Sequence, residues 1–473
     1  MPSRTPVSRM LPAVLAVLCA LSCAAEQRTL LILHTNDLHD HLRPGYDGTG
    51  GFAHLSGYAA AQRRDRTDVL LLDGGDVTEK GDLAAFKTQG TLSYEAMARI
   101  GYQAVVPGNH DFSHGLEALR GHAALLGGTA MLCANLRDRE GGEVFPASKI
   151  FEVNGLRAGV IGVTTGTNDA PVFAFAKTVE AVRAEAARLR GECDVLIVLA
   201  HLGGRECQTL AEAAPEVDLF VGGHTHELLR EPIRTPGGAV IVQAGQYAEH
   251  AGRVELTADT ERRDVRVVNA EVVPLAHDKV PCDGSMLAWL RGREAEVCPE
   301  AAEVVGRNAE EISGIRMAWL AAAALREHGG ADLAFCHPRQ VMRGSLPKGE
   351  VDANALFRTG GQRGSELVRA QLTGAQVVDY FKGLREGRLG VTALAGADPD
   401  ALESALSPGK TYQVILPRLE WTTRLAKVLR DVAAPEPCPF TFLDAVTAYT
   451  RGITAGGQTI DAHVRTLRGG GEE

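Results

Sequence analysis

Five short segments of the chain carry side chains of the types that hold metal ions. Residues 34–39 read His-Thr-Asn-Asp-Leu-His and set Asp37 two residues from His39. On an extended backbone that spacing points both side chains the same way. Residues 72–76 read Leu-Asp-Gly-Gly-Asp and end on Asp76, and residues 107–111 read Pro-Gly-Asn-His-Asp, with Asn109 and His110 at their centre. His201 closes an apolar run, and residues 222–226, Gly-Gly-His-Thr-His, supply His224 and His226. Taken singly, each segment is an ordinary turn signal, because Gly, Asn and Asp suit tight turns. Together they form a pattern, since each lies just past a strand-like run. In an α/β sheet the crevice at the carboxyl ends of the strands is where ligands bind. Imidazole and carboxylate donors suit first-row divalent ions, and the flanking glycines let backbone approach an ion without a Cβ in the way.

The elements that must position these residues are legible from the hydrophobic pattern. Short apolar runs fall at 30–34, 69–73, 104–107, 129–133, 158–163, 195–200, 219–221 and 240–243, with helix-like stretches such as 92–100 and 179–189 between them. That alternation predicts an α/β domain over 28–275, with a mainly parallel or mixed sheet and helices on its faces. Residues 276–311 read as a connector, charged and helical from 285. Residues 312–470 then predict a smaller α/β unit: helix 315–327, strands 331–336 and 366–372, helix 374–384, and a long Ala/Asp/Gly-rich loop over 390–408.

The chain has 473 residues and a net charge of −10. That balance argues against a nucleic-acid polymer as partner, which calls for a basic surface. It leaves room for a small anionic substrate, because bound cations reverse the local sign. Gly numbers 53 against 8 Tyr and 3 Trp, which favours many tight βα turns over an all-β sandwich. Residues 1–25 read as a signal peptide, with Arg4 and Arg9 ahead of an apolar run at 10–21 that falls short of the roughly 20 residues needed to span a bilayer. Cleavage after Ala24 or Ala25 would release the protein, whereas cleavage before Cys23 would leave a lipid-anchored cysteine. The expected location is therefore outside the cytosol, periplasmic or lipid-anchored at the cell envelope, with that anchor as the sole membrane contact. Of the nine cysteines, the pairs 193/207 and 282/298 are nearest in sequence. No Cys-x-x-Cys occurs, so neither a zinc knuckle nor a redox pair is suggested.

The order Asp-x-His, Gly-Asp, Gly-Asn-His-Asp, His, Gly-His-Thr-His resembles the calcineurin-like dinuclear metallophosphoesterases. Within them, the opening His34-Thr-Asn-Asp-Leu-His39 resembles the 5′-nucleotidase family, which includes UDP-sugar hydrolases. The resemblance implies a four-layer metallophosphatase β-sandwich with flanking helices, followed by a smaller C-terminal α/β domain that binds substrate. It implies two divalent ions, Zn, Mn or similar. Asp37, His39 and His226 would hold one, Asn109, His201 and His224 the other, and Asp76 would bridge them. Ions about 3.5–4 Å apart polarise a phosphate and activate a water for in-line attack, and His110 would stabilise the transition state. The family's carboxylate three residues after that histidine is Ser113 here, so either Ser113 or another group must orient the imidazole.

The C-terminal half is similar to the family's substrate domain at 330–335, 346–349 and 372–376. Its arginine block is altered to His337-Pro-Arg-Gln-Val-Met-Arg343. Arg343 falls on the family's substrate-binding arginine, and Arg363 falls where an aromatic base clamp would be. With Arg339 and Arg418 nearby and Trp421 as the remaining aromatic, the expected substrate is a small phosphoester, a nucleotide or nucleotide sugar among the choices, bound with weak discrimination among bases. Two rival readings are a hydrolase of non-nucleotide substrates on the same scaffold (thiosulfohydrolase-like, or a sugar-phosphate phosphatase) and a surface binding protein on a relic scaffold.

Overall fold

The computed structural model describes residues 27–79, 81–166, 173–175, 177–261, 264–338, 344–361, 366–386, 392–398, 401–429 and 432–467. The expected signal peptide at 1–25, with Cys23, lies outside them. Two six-stranded sheets stack face to face. The first runs Asp264–Pro274, His250–Asp259, Gln27–Thr35, Val69–Asp73, Ala104–Val105, Ala130–Met131, and the second runs Ile233–Arg234, Val240–Val242, Leu219–Val221, Val195–His201, Leu156–Thr164, Ser148–Val153. Period-two alternation builds the layers. Leu30 and Ile32 pack with Ile197 and Leu199 between the sheets, while Leu31 and Leu33 face helices Phe52–Arg63 and Thr91–Ile100 on the outside. Helices Thr178–Leu189 and Gly204–Ala213 cover the other sheet. Burying each such Leu or Ile contributes about 1.5–3 kcal/mol. Parallel pairing of Gln27–Thr35, Val69–Asp73 and Ala104–Val105, and of Val195–His201 with Leu219–Val221, brings five strand ends to one edge of the sandwich.

Past helix Gly284–Val297, residues 304–308 are not helical. Val304–Asn308 is a strand, antiparallel to Gly349–Asp352. Its run Val-Val-Gly-Arg-Asn alternates too briefly to stand out from the charged residues before it. A five-stranded sheet follows, in the order Ala393–Ala395, Leu333–Cys336, Thr411–Pro417, Leu367–Thr373, Glu436–Pro437. It packs against helices Gly314–Gly329 and Gly374–Glu386. The stretch expected to be a loop at 390–408 contains strand Ala393–Ala395 and the helical turn Leu402–Ala405. Neither nearest-neighbour cysteine pair is joined: Cys193, Cys207, Cys282 and Cys298 are all free thiols. Among the described residues no helix is long and apolar enough to cross a membrane.

The smaller unit encloses one carboxyl with a pH signature. Glu420 is fully buried and accepts hydrogen bonds from the Tyr380 hydroxyl (3.0 Å) and Thr392 Oγ1 (2.8 Å). Burial pushes it from its ordinary 4.5 up to about 7, against the pull of those donors and Arg424. A folded-state value above the unfolded one means the folded chain holds the extra proton. The resulting stability is complete below pH 4.5 and is lost as pH rises through 7. Thermal midpoints measured from pH 5 to 7.5 should fall, and Glu420→Gln should flatten that fall. An unchanged slope in the variant would rule out this assignment.

Candidate metal centre

Loop conformation, more than strand alternation, aims the ligand candidates. Asp37 (φ 53°), His39 (47°), Asp76 (57°), His224 (70°) and His226 (58°) all sit in the left-handed region. Such backbone is strained for a residue with a side chain and persists where the surroundings over-determine it. Asp37 and His39 are therefore not aligned by an extended backbone. Their loop lies against the next one instead: Asp37 N–H donates to Gly75 O (2.8 Å), His39 N–H to Asp76 O (2.9 Å) and Asp40 N–H to Val77 O (2.8 Å). Gly108 lets the third loop close on the second, since a Cβ there would lie 2.1 Å from Asp76 Oδ1.

All seven candidates meet at this edge, in two groups. His226 Nε2 lies 3.3 Å from Asp37 Oδ1, and His39 Nε2 lies 3.7 Å from the same oxygen and 3.1 Å from His226 Nε2. In the second group His201 Nε2 lies 3.1 Å from Asp76 Oδ2, and Asn109 Oδ1 lies 3.3 Å from His201 Nε2 and 2.8 Å from His224 Nδ1. Asp76 Oδ2 also lies 3.7 Å from His39 Nε2, so one carboxylate oxygen faces both groups. Within each triad, Asp37/His39/His226 and Asp76/His201/His224, one donor atom per residue lies within 4.8 Å of the others.

The donor chemistry fits divalent cations. His39 Nδ1–H donates to Thr78 O (3.1 Å), and His201 Nδ1–H donates to Gly74 O (2.9 Å). A carbonyl can only accept, so each ring keeps its proton on Nδ1 and, once Nε2 is deprotonated, turns that lone pair inward, the arrangement typical of metal-ligating histidine. Burial disfavours charge on His201, yet Asp76 outweighs it and lifts the imidazole to about 9. The site thus attracts positive charge even at a buried position.

His110 lies beside the first group, its ring centroid 5.1 Å from that of His39. Its Nδ1 is paired with the Glu79 carboxylate, so the imidazole's partner comes from the neighbouring loop, while Ser113 gives a backbone N–H to His110 O. Glu79 and Tyr247, whose ring lies edge-on to His39 and His226 at 5.8 Å, escape sequence reasoning because neither belongs to a ligand-spaced cluster. Asp111 points into the protein and accepts from the backbone N–H groups of Gly108 (2.7 Å), Asp76 (3.1 Å) and Thr78 (3.0 Å).

The substrate-binding candidates Arg343 and Arg363 lie outside the described residues, as does Arg339. Arg418 is paired at the surface with Glu366 (2.7 Å). Trp421 packs partly buried against the core of the smaller unit.

A family model for calcineurin-like phosphoesterases matches residues 30–228. The 5′-nucleotidase of Vibrio vulnificus is 26% identical over 445 residues, covering 77% of this chain and 79% of that protein. The share of a relative's own length that is spanned varies, from 79% for that nucleotidase to 27% for the endonuclease YhcR of Bacillus subtilis. Among solved structures, a 5′-nucleotidase precursor from Thermus thermophilus gives a TM-score of 0.70 at 22% identity, over 90% of this chain and 97% of that one. The sulfate thiohydrolase SoxB of the same organism gives 0.66 at 18%, over 90% and 94%. These two likenesses establish the shared fold. Residues 30–228 thus form a calcineurin-like phosphoesterase domain. Over most of its length the chain is similar to 5′-nucleotidases, and the family matched at residues 30–228 is one of phosphoesterases.

Proposed function

We propose that the protein is an exported phosphatase of small anionic phosphoesters, holding two divalent ions of the zinc or manganese kind. The observation that carries this reading is Asp76 Oδ2, which lies between His201 Nε2 and His39 Nε2, one from each group. Asp37, His39 and His226 would hold one ion, Asn109, His201 and His224 would hold the other, and Asp76 would serve both. Bound ions supply Lewis acidity toward the scissile phosphate and an activated water. His110 donates a hydrogen bond to the phosphoryl oxygens or leaving group as charge develops there. Arg343 and Arg363 recognise charge on the substrate beyond the scissile phosphate, because guanidiniums bind phosphate and carboxylate in forks. The apolar run at 10–21 directs export, with Cys23 as the anchor if cleavage precedes it. Nucleoside monophosphates, nucleotide sugars and sugar phosphates are the substrate classes.

The test is hydrolysis by the metal-loaded protein of an aryl phosphate, adenosine monophosphate, a UDP-sugar and ribose 5-phosphate. Aryl phosphate hydrolysis that depends on added divalent ion is expected, with kcat/KM for adenosine monophosphate and ribose 5-phosphate within about tenfold, given that a lost base stack is worth about 1–3 kcal/mol. A nucleotide preference of about a hundredfold or more would show a surviving base clamp. Full metal content without any phosphatase activity would overturn the phosphatase reading in favour of a thiosulfohydrolase-like enzyme or a binding protein.

A further inference from the structure

We infer that Glu79 is the positioning residue for His110, and that the turn 76–79 is one device serving both metal ligation and the transition state. The inference rests on the reading of His110 as the group that acts on the phosphoryl oxygens. Each of three residues in that turn sends one group to a different target. Asp76 Oδ2 faces both imidazole groups. Thr78 O takes the Nδ1–H of His39. The Glu79 carboxylate takes the Nδ1–H of His110.

The turn is held so that Glu79 cannot simply swing away. Its φ of 74° lies in the left-handed region, which a residue of this size does not adopt without restraint. The restraint is Asp40, buried with 2% of its surface exposed. Asp40 Oδ2 accepts the Glu79 N–H at 2.6 Å and Asp40 Oδ1 accepts Ser93 Oγ at 2.5 Å. One residue earlier, Thr78 N–H and Thr78 Oγ1 both donate to Asp111 Oδ1, each at 3.0 Å. Two buried carboxyl groups, from two other loops, thus pin the backbone from which Glu79 reaches out.

An exposed ion pair adds little to stability, and the Glu79 and His110 side chains are each about a quarter exposed. The consequence is chemical. With Nδ1 engaged by a carboxylate, the ring has one orientation and one tautomer, and Nε2 is the nitrogen that serves the substrate. Sequence alone does not reveal this partner: the two residues lie on different loops, 31 positions apart.

The experiment is a double-mutant cycle on the metal-loaded full chain, with an aryl phosphate as substrate and metal content measured for every variant. His110→Ala is expected to lower kcat by about a hundredfold with both ions retained. Glu79→Ala should lower kcat by about 10- to 100-fold, change KM by less than about threefold, and keep both ions. The double variant should be no slower than His110→Ala, because the two residues act as a unit. A Glu79→Ala enzyme at the wild-type rate, one that loses an ion, or a double variant well below His110→Ala would overturn the positioning role and leave the phosphatase reading standing. Wild-type kcat in His110→Ala would instead overturn the role given to His110, and the inference with it.

Discussion

Asp76→Asn is expected to lower kcat/KM by about 10³-fold or more and to take bound divalent ions from two per chain to one at most. The two oxygens of Asp76 have separate duties. Oδ1 accepts the His110 N–H at 2.8 Å, fixing the loop that carries Asn109 and His110. Oδ2 faces His201 Nε2 at 3.1 Å and His39 Nε2 at 3.7 Å. An asparagine that keeps the first bond must turn its NH2 toward the two imidazoles, where a donor can neither ligate nor bridge. The fold tolerates the change, since size and the loop contact are retained, so circular dichroism should be unaltered. Removing the ions with a strong chelator should abolish activity equally, and zinc or manganese should restore it in the wild type but not in the variant. Because ions bind the native state alone, their removal should also lower the thermal midpoint of the wild type. Full activity after complete chelation would sink the dimetal reading.

That the candidate ligands share one edge was legible in the sequence for a simple reason. Each candidate lies within five residues of the end of a β-run, and parallel β-runs in a sandwich share an end. Residue type and position past the strand therefore sufficed to single out Asp37, Asp76, Asn109, His201 and His224 as candidates. The same logic misjudged how Asp37 and His39 are aligned. A left-handed loop laid on its neighbour does that work, and φ values are not written in an alternation pattern. Glu79 and the inward aim of Asp111 were out of reach because they depend on loop–loop contact between residues more than thirty apart. In the smaller unit the sequence fared worse. Val304–Asn308 looks like the tail of a charged helix until its partner Gly349–Asp352 is known, and strand pairing of that kind is decided by tertiary contact. Ala393–Ala395 is a three-residue Ala-Leu-Ala run, too short to show an alternation, whose strand character comes from lying beside Leu333–Cys336.

Asp111 is where the architecture and the chemistry of the metal edge are most tightly joined, and Asp111→Asn should show it. The carboxylate is 1% exposed and joins two loops. Oδ2 accepts from Gly108 N–H and Asp76 N–H, and Oδ1 accepts from Thr78 N–H and Thr78 Oγ1. Every one of the three backbone partners is a donor, so the acceptor must be present on both sides of the group. An asparagine has one acceptor oxygen. Whichever way its amide is turned, an NH2 meets at least one buried N–H, and that donor is left unsatisfied as well as repelled. An unmade buried hydrogen bond costs about 1–3 kcal/mol, and the loss on both loops together is expected to reach about 3 kcal/mol. At about 2–4 °C per kcal/mol for a domain of this size, the thermal midpoint should fall by about 6–12 °C. Activity should fall as well, by at least about tenfold at a temperature where the variant is still folded, because the loops bearing Asp76 and His110 lose their common anchor. Metal titration distinguishes this from a purely catalytic defect: the variant should bind the second ion more weakly, with half-saturation shifted upward, whereas His110→Ala should not. A variant with the wild-type midpoint and wild-type metal affinity would show that the two loops are held together by something other than this carboxylate.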